Sequence, residues 1–165
     1  MQSYSHYKER HNMPLTNVKP ITILMADDDE DDRLLTQDAL AESRVLNELH
    51  FVEDGVELLE YLERTGKFED KTLSPRPGLI LLDLNMPRMD GREALQAIKA
   101  NPNLKGIPVV ILTTSKQEED MVKGYDLGAA SYITKPVTFD GLVELMKTLG
   151  KYWVEFVELP STFND

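Results

Sequence analysis

Four short runs of the chain are almost continuously apolar: Ile21–Ala26, Leu79–Leu82, Val109–Leu112 and, more weakly, Ser131–Thr134. Runs of this length without polar alternation predict strands buried on both faces, as in a parallel sheet. A fifth run, Leu49–Val52, predicts an edge strand. Between the runs the spacing becomes helical. Asp29–Ser43 carries Leu34, Leu35, Ala39 and Leu40; Asp54–Glu63 carries Val56, Leu59 and Leu62; Gly91–Ala100 carries Ala94, Leu95 and Ile98. Gln117–Leu127 and Phe139–Tyr152 complete the helices. Strands alternating with helices predict βαβ units, hence an α/β fold with a doubly wound five-stranded parallel sheet and helices on both faces.

Residues 1–19 are polar and aperiodic and predict a disordered or extended tail, with His6 and His11 belonging to no site. Residues 20–150 hold the periodic elements and predict one domain, and residues 151–165 form an extension containing Trp153, Val154, Phe156, Val157 and Leu159. Thr65–Pro77 is a polar, proline-containing stretch that reads as an inserted loop before the third strand. No repeat, low-complexity tract or linker to a second domain is expected.

Composition narrows the chemistry. At 165 residues and 41% hydrophobic, the chain has apolar material for one core. A net charge of −11 repels nucleic acid and anionic membrane surfaces, which call for clustered Lys and Arg. Without cysteine there is no disulfide, thiolate metal site or thiol nucleophile, which fits a reducing compartment. No run reaches the length of a signal peptide's apolar core or the ~18 apolar residues of a membrane helix, so the expected location is the cytoplasm.

In an open parallel sheet, ligands bind beyond the carboxyl ends of the strands. The first strand runs into Asp27 and Asp28, the third into Asp83, the fourth into Thr113 and Thr114, and the fifth into Lys135 and Pro136. In the flavodoxin-like order 2-1-3-4-5, the first, third and fourth strands are neighbours. Three carboxylates, a hydroxyl and an ammonium then converge on one crevice. Crowded carboxylates call for a hard divalent cation, and Mg²⁺ takes about six oxygens. Asp27, Asp28, Asp83 and a backbone carbonyl after Asp83 supply the protein's share. Lys135 would neutralise a phosphoryl group as a point charge and Thr113 would hydrogen-bond it. Attack by a carboxylate on phosphorus needs such an electrostatic cradle more than an acid or base.

Each residue also has a plainer account. The acids Asp29–Asp32 suit the first turn of a helix, with Asp29 as its cap. Asp83 alone could end a strand, Lys135 could be a surface lysine, and Thr113 a β-branched strand residue. That account leaves out Asp27 and Asp28, which precede the helix, and the joint placement carries the signal.

The segments Ile23–Asp29, Leu81–Pro87, Met89-Asp90-Gly91, Leu112-Thr113-Thr114 and Lys135-Pro136 occur in the order seen in CheY-like receiver domains of bacterial response regulators, and the chain resembles that family over about residues 20–150. The resemblance implies Asp83 as phosphoacceptor, and Mg²⁺ (with Mn²⁺ as substitute) on Asp27, Asp28, Asp83 and the Asn85 backbone carbonyl. It implies Lys135 as the phosphoryl counter-ion before a cis peptide to Pro136. Thr113 would be the switch hydroxyl, and Tyr132 an aromatic that swings inward once Thr113 moves. A half-buried strand residue is the plainer reading of Tyr132. Three departures stand out: Thr114 where a small residue is usual, which narrows access to Asp83; the long Thr65–Pro77 loop; and the tail Lys151–Pro160. Loop, tail and the wording around Thr113 and Lys135 are similar to the phytochrome-associated, Rcp1-like receivers.

His6, His11 and His50 sit in no phosphodonor pattern, so the donor is expected in trans: a histidine kinase, of phytochrome type by the resemblance, a phosphotransfer protein, or a small acyl phosphate. Phosphorylation would bias the face of the fourth helix, fifth strand and fifth helix, containing Tyr125, Tyr132 and Phe139. Output is expected through protein contact, dimerisation through that face and the C-terminal extension, or onward transfer of the phosphoryl group. Two rivals remain open. A phosphatase of the haloacid dehalogenase type needs a second Asp where this chain has Asn85. A pseudo-receiver would keep the fold without phosphorylation. A metal-dependent glycosyltransferase would need a longer chain.

Overall fold

The computed structural model describes residues 21–42, 47–135 and the single positions 138, 140, 141 and 144. The expected N-terminal tail, the fifth helix Phe139–Tyr152, Pro136 and the C-terminal extension lie wholly or largely outside the described residues.

Five strands form one sheet: β1 (Ile21–Ala26), β2 (Asn47–Val52), β3 (Leu79–Asp83), β4 (Val109–Thr113) and β5 (Ser131–Thr134). Every neighbouring pair is parallel and the order is β2-β1-β3-β4-β5. The register sets Ala26 beside Leu82 and Asp83 beside Leu112, so the strand ends finish at one edge. β3 and β4 are buried at every residue, which is why they read as unbroken apolar runs. β2 begins two residues before its predicted start, because Asn47 and Glu48 pair with Ile21 and Thr22 at the edge, where polar side chains reach water.

Side chains alternate between two cores. On one face Ile23, Met25, Leu79, Leu81, Val110 and Leu112 meet Ala39 and Leu40 of α1 (Glu30–Glu42). On the other, Leu24, Ala26, Ile80, Leu82, Val109 and Ile111 pack against α2 (Gly55–Glu63), α3 (Gly91–Ala100) and Val122 of α4 (Lys116–Lys123). Two predicted helix faces are corrected. Leu34 is exposed, and Thr36 takes a buried place on α1 by donating its hydroxyl to the Asp32 carbonyl at 2.8 Å. In α2 the fully buried pair is Leu58 and Tyr61, with Leu59 and Leu62 partly buried beside them.

Among the described residues, α2, α3 and α4 start at capping side chains. Asp54, Asp90 and Ser115 accept the backbone N–H of Glu57, Glu93 and Glu118. Asp29 does the same for α1 through Asp31 N–H at 2.8 Å. α4 ends at Lys123, four residues before its predicted end, because the chain turns at Gly124 and Asp126 takes φ +49°.

The Thr65–Pro77 stretch is no loose insertion. It makes a 3₁₀ turn at Gly66–Phe68, and the buried Ser74 hydroxyl donates to the Phe68 carbonyl at 2.8 Å. Tyr61 Oη donates to the Pro75 carbonyl at 2.8 Å, and the Tyr61 and Phe68 rings lie 5.2 Å apart. The stretch joins β3 at the end opposite Asp83.

Candidate functional site

Asp27 and Asp28 leave β1, Asp83 ends β3 and Lys135 follows β5, all at the carboxyl edge of the sheet. Carboxylate oxygens of Asp27, Asp28 and Asp83 lie within 4.8 Å of one another. Asp27 is fully buried and Asp83 nearly so, whereas Asp28 is exposed. The β1–β3 register dictates this meeting, since Ala26 and Leu82 are paired and the next residue of each strand is an aspartate.

Lys135 Nζ donates to Asp83 Oδ2 at 3.0 Å and lies 2.7 Å from Asp32 Oδ2 and 3.1 Å from Asp27 Oδ2. Burial alone would lower the Lys135 pKa, but these carboxylates outweigh it and hold the ammonium protonated well above its usual range. Burial raises Asp83, with the Asn85 N–H and Lys135 pulling the other way. Burial likewise lifts Asp27 to about 6, helped by the charge of Asp83 and opposed by the Asp29 N–H and Lys135.

Around this cluster the backbone is held from several sides. Asp29 N–H donates to Asp27 Oδ1 at 2.9 Å, and Asn85 N–H to Asp83 Oδ1 at 3.1 Å. Arg33 Nη1 donates to the Asp27 carbonyl at 2.8 Å. The β3–α3 loop is anchored by Arg88, which sits at φ +64° and makes two bonds of 2.8 and 3.0 Å to buried Asp54. Gly91 N–H donates to the Leu84 carbonyl at 2.9 Å, and a Cβ there would overlap the Asp83 carbonyl. A glycine is needed because α3 starts against the backbone of the phosphoacceptor candidate.

A divalent cation suits this donor set. Asp27 Oδ2 is buried and accepts no well-directed hydrogen bond, although Lys135 is near enough to pair with it electrostatically. Two buried carboxylates and an exposed one, all anionic oxygens, make a hard site open to solvent at Asp28.

The other predicted residues are placed as follows. Thr113 is buried, and its hydroxyl lies 3.3 Å from the Ile133 carbonyl and 3.4 Å from Thr134 Oγ1, turned toward β5. Tyr132 is partly buried against the core, with Lys123 Nζ 5.3 Å from its ring centroid. Thr114 is exposed, and both its N–H and its hydroxyl donate to Glu118, at 3.0 and 3.1 Å. Glu118 also accepts from Asn85 Nδ2 at 3.3 Å, linking the loops after β3 and β4.

Sequence reasoning assigned no part in the site to Asp32, Arg33, Arg88 or Glu118. Asp32 stands four residues after Asp28, a spacing that can bring it back to the same side, but acids in a first turn have a sufficient reason of their own.

A family model described as "Response regulator receiver domain" matches residues 23–147. The chain belongs to the response regulator receiver domain family. Its similarity is broad. Response regulator Rcp1 of Synechocystis sp. is 42% identical over 142 residues, covering 86% of this chain and 95% of that protein. The crystal structure of the phosphorylated cyanobacterial phytochrome response regulator RcpA matches with TM-score 0.71 and 42% identity, over 87% of this chain and 100% of that one. The Mn²⁺-bound form of Rcp1 matches with TM-score 0.70 and 42% identity, over 86% and 100%. The doubly wound parallel sheet expected from the strand pattern is thus the fold of the family. No helix among the described residues is long and apolar enough to cross a membrane.

Proposed function

We propose that this receiver domain is a response-regulator switch that accepts a phosphoryl group on Asp83 from a phosphohistidine of a partner kinase. One observation carries the reading: Asp83 ends the central strand β3, with Lys135 Nζ 3.0 Å from one oxygen and two further aspartates beside it. An Asp83 carboxylate oxygen attacks phosphorus in line. A P–O bond forms, the P–N bond of the phosphohistidine breaks, and the departing imidazole takes up a proton. Lys135 holds the anionic oxygens, and the Asn85 N–H orients the attacking carboxylate.

Asp27, Asp28, Asp83 and the Asn85 backbone carbonyl are the ligands for Mg²⁺, with Mn²⁺ as a substitute; the Mn²⁺-bound relative supports the metal class. When bound, the ion offsets the negative charge that builds on the phosphoryl oxygens. Thr113 would turn from β5 toward the phosphoryl group, and Tyr132 would move into the space this leaves. The chain acts as a switch, with acceptance and hydrolysis of its own phosphoryl group only. Asn85, placed where a phosphatase would need an acid, bonds Glu118 instead.

The phytochrome-related neighbours support a phytochrome-type histidine kinase as donor, directly or through a phosphotransfer protein, in the cytoplasm. Output is through protein contact at α4, the turn after it and β5, where Met121 and Tyr125 are exposed, and this face with the C-terminal extension is the proposed homodimer surface. Residues 20–150 are the proposed switch domain.

Intact mass after acetyl phosphate treatment, with and without Mg²⁺, tests the proposal on wild type and Asp83→Asn. The expected result is a Mg²⁺-dependent gain of one phosphoryl group, absent in the variant. An equal gain in Asp83→Asn would reassign the acceptor. No gain with Mg²⁺ bound, repeated with a phosphorylated histidine kinase, would leave a binding module with the receiver fold.

A further inference from the structure

Lys135 is ringed by carboxylates. An ammonium has three N–H donors. Three carboxylate oxygens lie within 3.1 Å of Nζ, from Asp27, Asp32 and Asp83. A further anion beside Nζ must compete with these carboxylates for the ammonium.

The three partners are not equivalent. Asp27 and Asp83 are proposed metal ligands, and their side chains are 0% and 4% exposed. Asp32 is the nearest to Lys135, at 2.7 Å, yet its side chain is 20% exposed. It belongs to the first turn of α1 and not to a strand end. Its carboxylate can return to water at small cost, which the other two cannot.

The helix itself does not require this arrangement. Glu30 and Asp31 occupy the same first turn, are exposed, and supply the negative charge that a helix start favours. Asp32 alone turns into the site to meet a lysine from the far strand.

We infer that Asp32 is the resting counter-ion of Lys135, displaced to solvent when a phosphoryl group on Asp83 takes over the ammonium. The inference rests on Asp83 as phosphoacceptor. Asp32 is a positioning residue: it touches Lys135 and not the reacting atoms. The phosphoryl group adds nearly two negative charges beside Lys135. Two anions then compete for one donor set, and Asp32 weakens the hold on the phosphoryl group by as much as that group weakens the hold on Asp32.

The test uses beryllofluoride, an anion that mimics a phosphoryl group on a carboxylate, titrated calorimetrically into the full chain at saturating Mg²⁺. Asp32→Asn should bind it about fivefold more tightly than wild type, at the lower end of ordinary coupling between sites. Asp32→Glu should stay near wild type. Asp31→Asn, which removes the same charge from the exposed neighbour, should also stay near wild type. Melting curves show whether each variant is folded. A merely structural role would shift melting without tightening anion binding. Unchanged or weaker binding by folded Asp32→Asn would overturn the inference while leaving the phosphoacceptor reading intact. Equal tightening in Asp31→Asn would also overturn it, as a bulk charge effect. If wild type and Asp83→Asn both fail to bind beryllofluoride, the phosphoacceptor reading fails and this inference with it.

Discussion

Asp27 shows what burial does to one carboxylate. Its pKa of about 6 reflects desolvation first; the Asp29 N–H pulls it back, and the nearby charge of Asp83 adds to the rise. Because the folded value lies above the ordinary 3.8, the native state holds this proton more tightly than the unfolded chain. The stability it contributes is therefore present at low pH and lost as pH rises through about 6. Melting temperatures of the metal-free protein and Asp27→Asn should diverge in the variant's favour between pH 4 and pH 7. A constant difference would mean that Asp27 titrates normally. Asp54 has the opposite sign. Burial pushes it up, but Arg88 and the Glu57 N–H prevail and hold it low, so its contribution is lost as pH falls. The same proton on Asp27 competes with metal. Mg²⁺ affinity, measured by titration calorimetry, should fall steeply below pH 6.

Elements fix where these residues stand. β3 delivers Asp83 because Leu79–Leu82 are buried on both faces, so the strand cannot slip without moving apolar side chains into the wrong core. Leu81→Ala should cost about 2–5 kcal/mol in denaturant unfolding, the range for a fully buried leucine. A smaller loss would mean that α1 closes over the cavity. The β3–α3 loop depends on contacts of a different kind. Asp54→Ala should remove both the α2 cap, worth about 1 kcal/mol, and the partner of Arg88. Its Mg²⁺ affinity should weaken as well, since the freed loop carries the Asn85 carbonyl. Affinity equal to wild type would show that the loop holds itself. Gly91→Ala should be worse than an ordinary Gly-to-Ala change in a helix, because the added methyl meets the Asp83 and Leu84 backbone. Lower melting temperature together with weaker Mg²⁺ binding is the expected pair of results.

For the whole molecule, the site concentrates negative charge that folding must bring together. Asp27, Asp32 and Asp83 meet one ammonium, and Asp28 stands beside Asp27 and Asp83. A cation that binds the folded state alone stabilises it by mass action, by about 2.7 kcal/mol at one hundred times its dissociation constant. Mg²⁺ should therefore raise the melting temperature, and chelation should return it to the starting value. No shift in wild type at millimolar Mg²⁺ would argue against the metal site altogether.

Much of this was legible in the chain. Unbroken apolar runs and helical spacing predict the five strands and the first four helices, and the residues following the strands name Asp27, Asp28, Asp83, Thr113 and Lys135 as candidates. These follow from the sequence because burial on both faces leaves a one-dimensional pattern, and a strand's end is where that pattern stops. The role of Asp32 could not be read so, since a first-turn acid looks the same whether it faces water or a lysine from the last strand. The partnership of Arg88 with Asp54, and that of Glu118 with Asn85, join residues far apart in the chain and leave no period behind. Sequence alone determined which strand-end residues reach the carboxyl edge of the sheet. Tertiary structure decided which of them touch, because contact distances depend on register and on the turn of each loop in three dimensions.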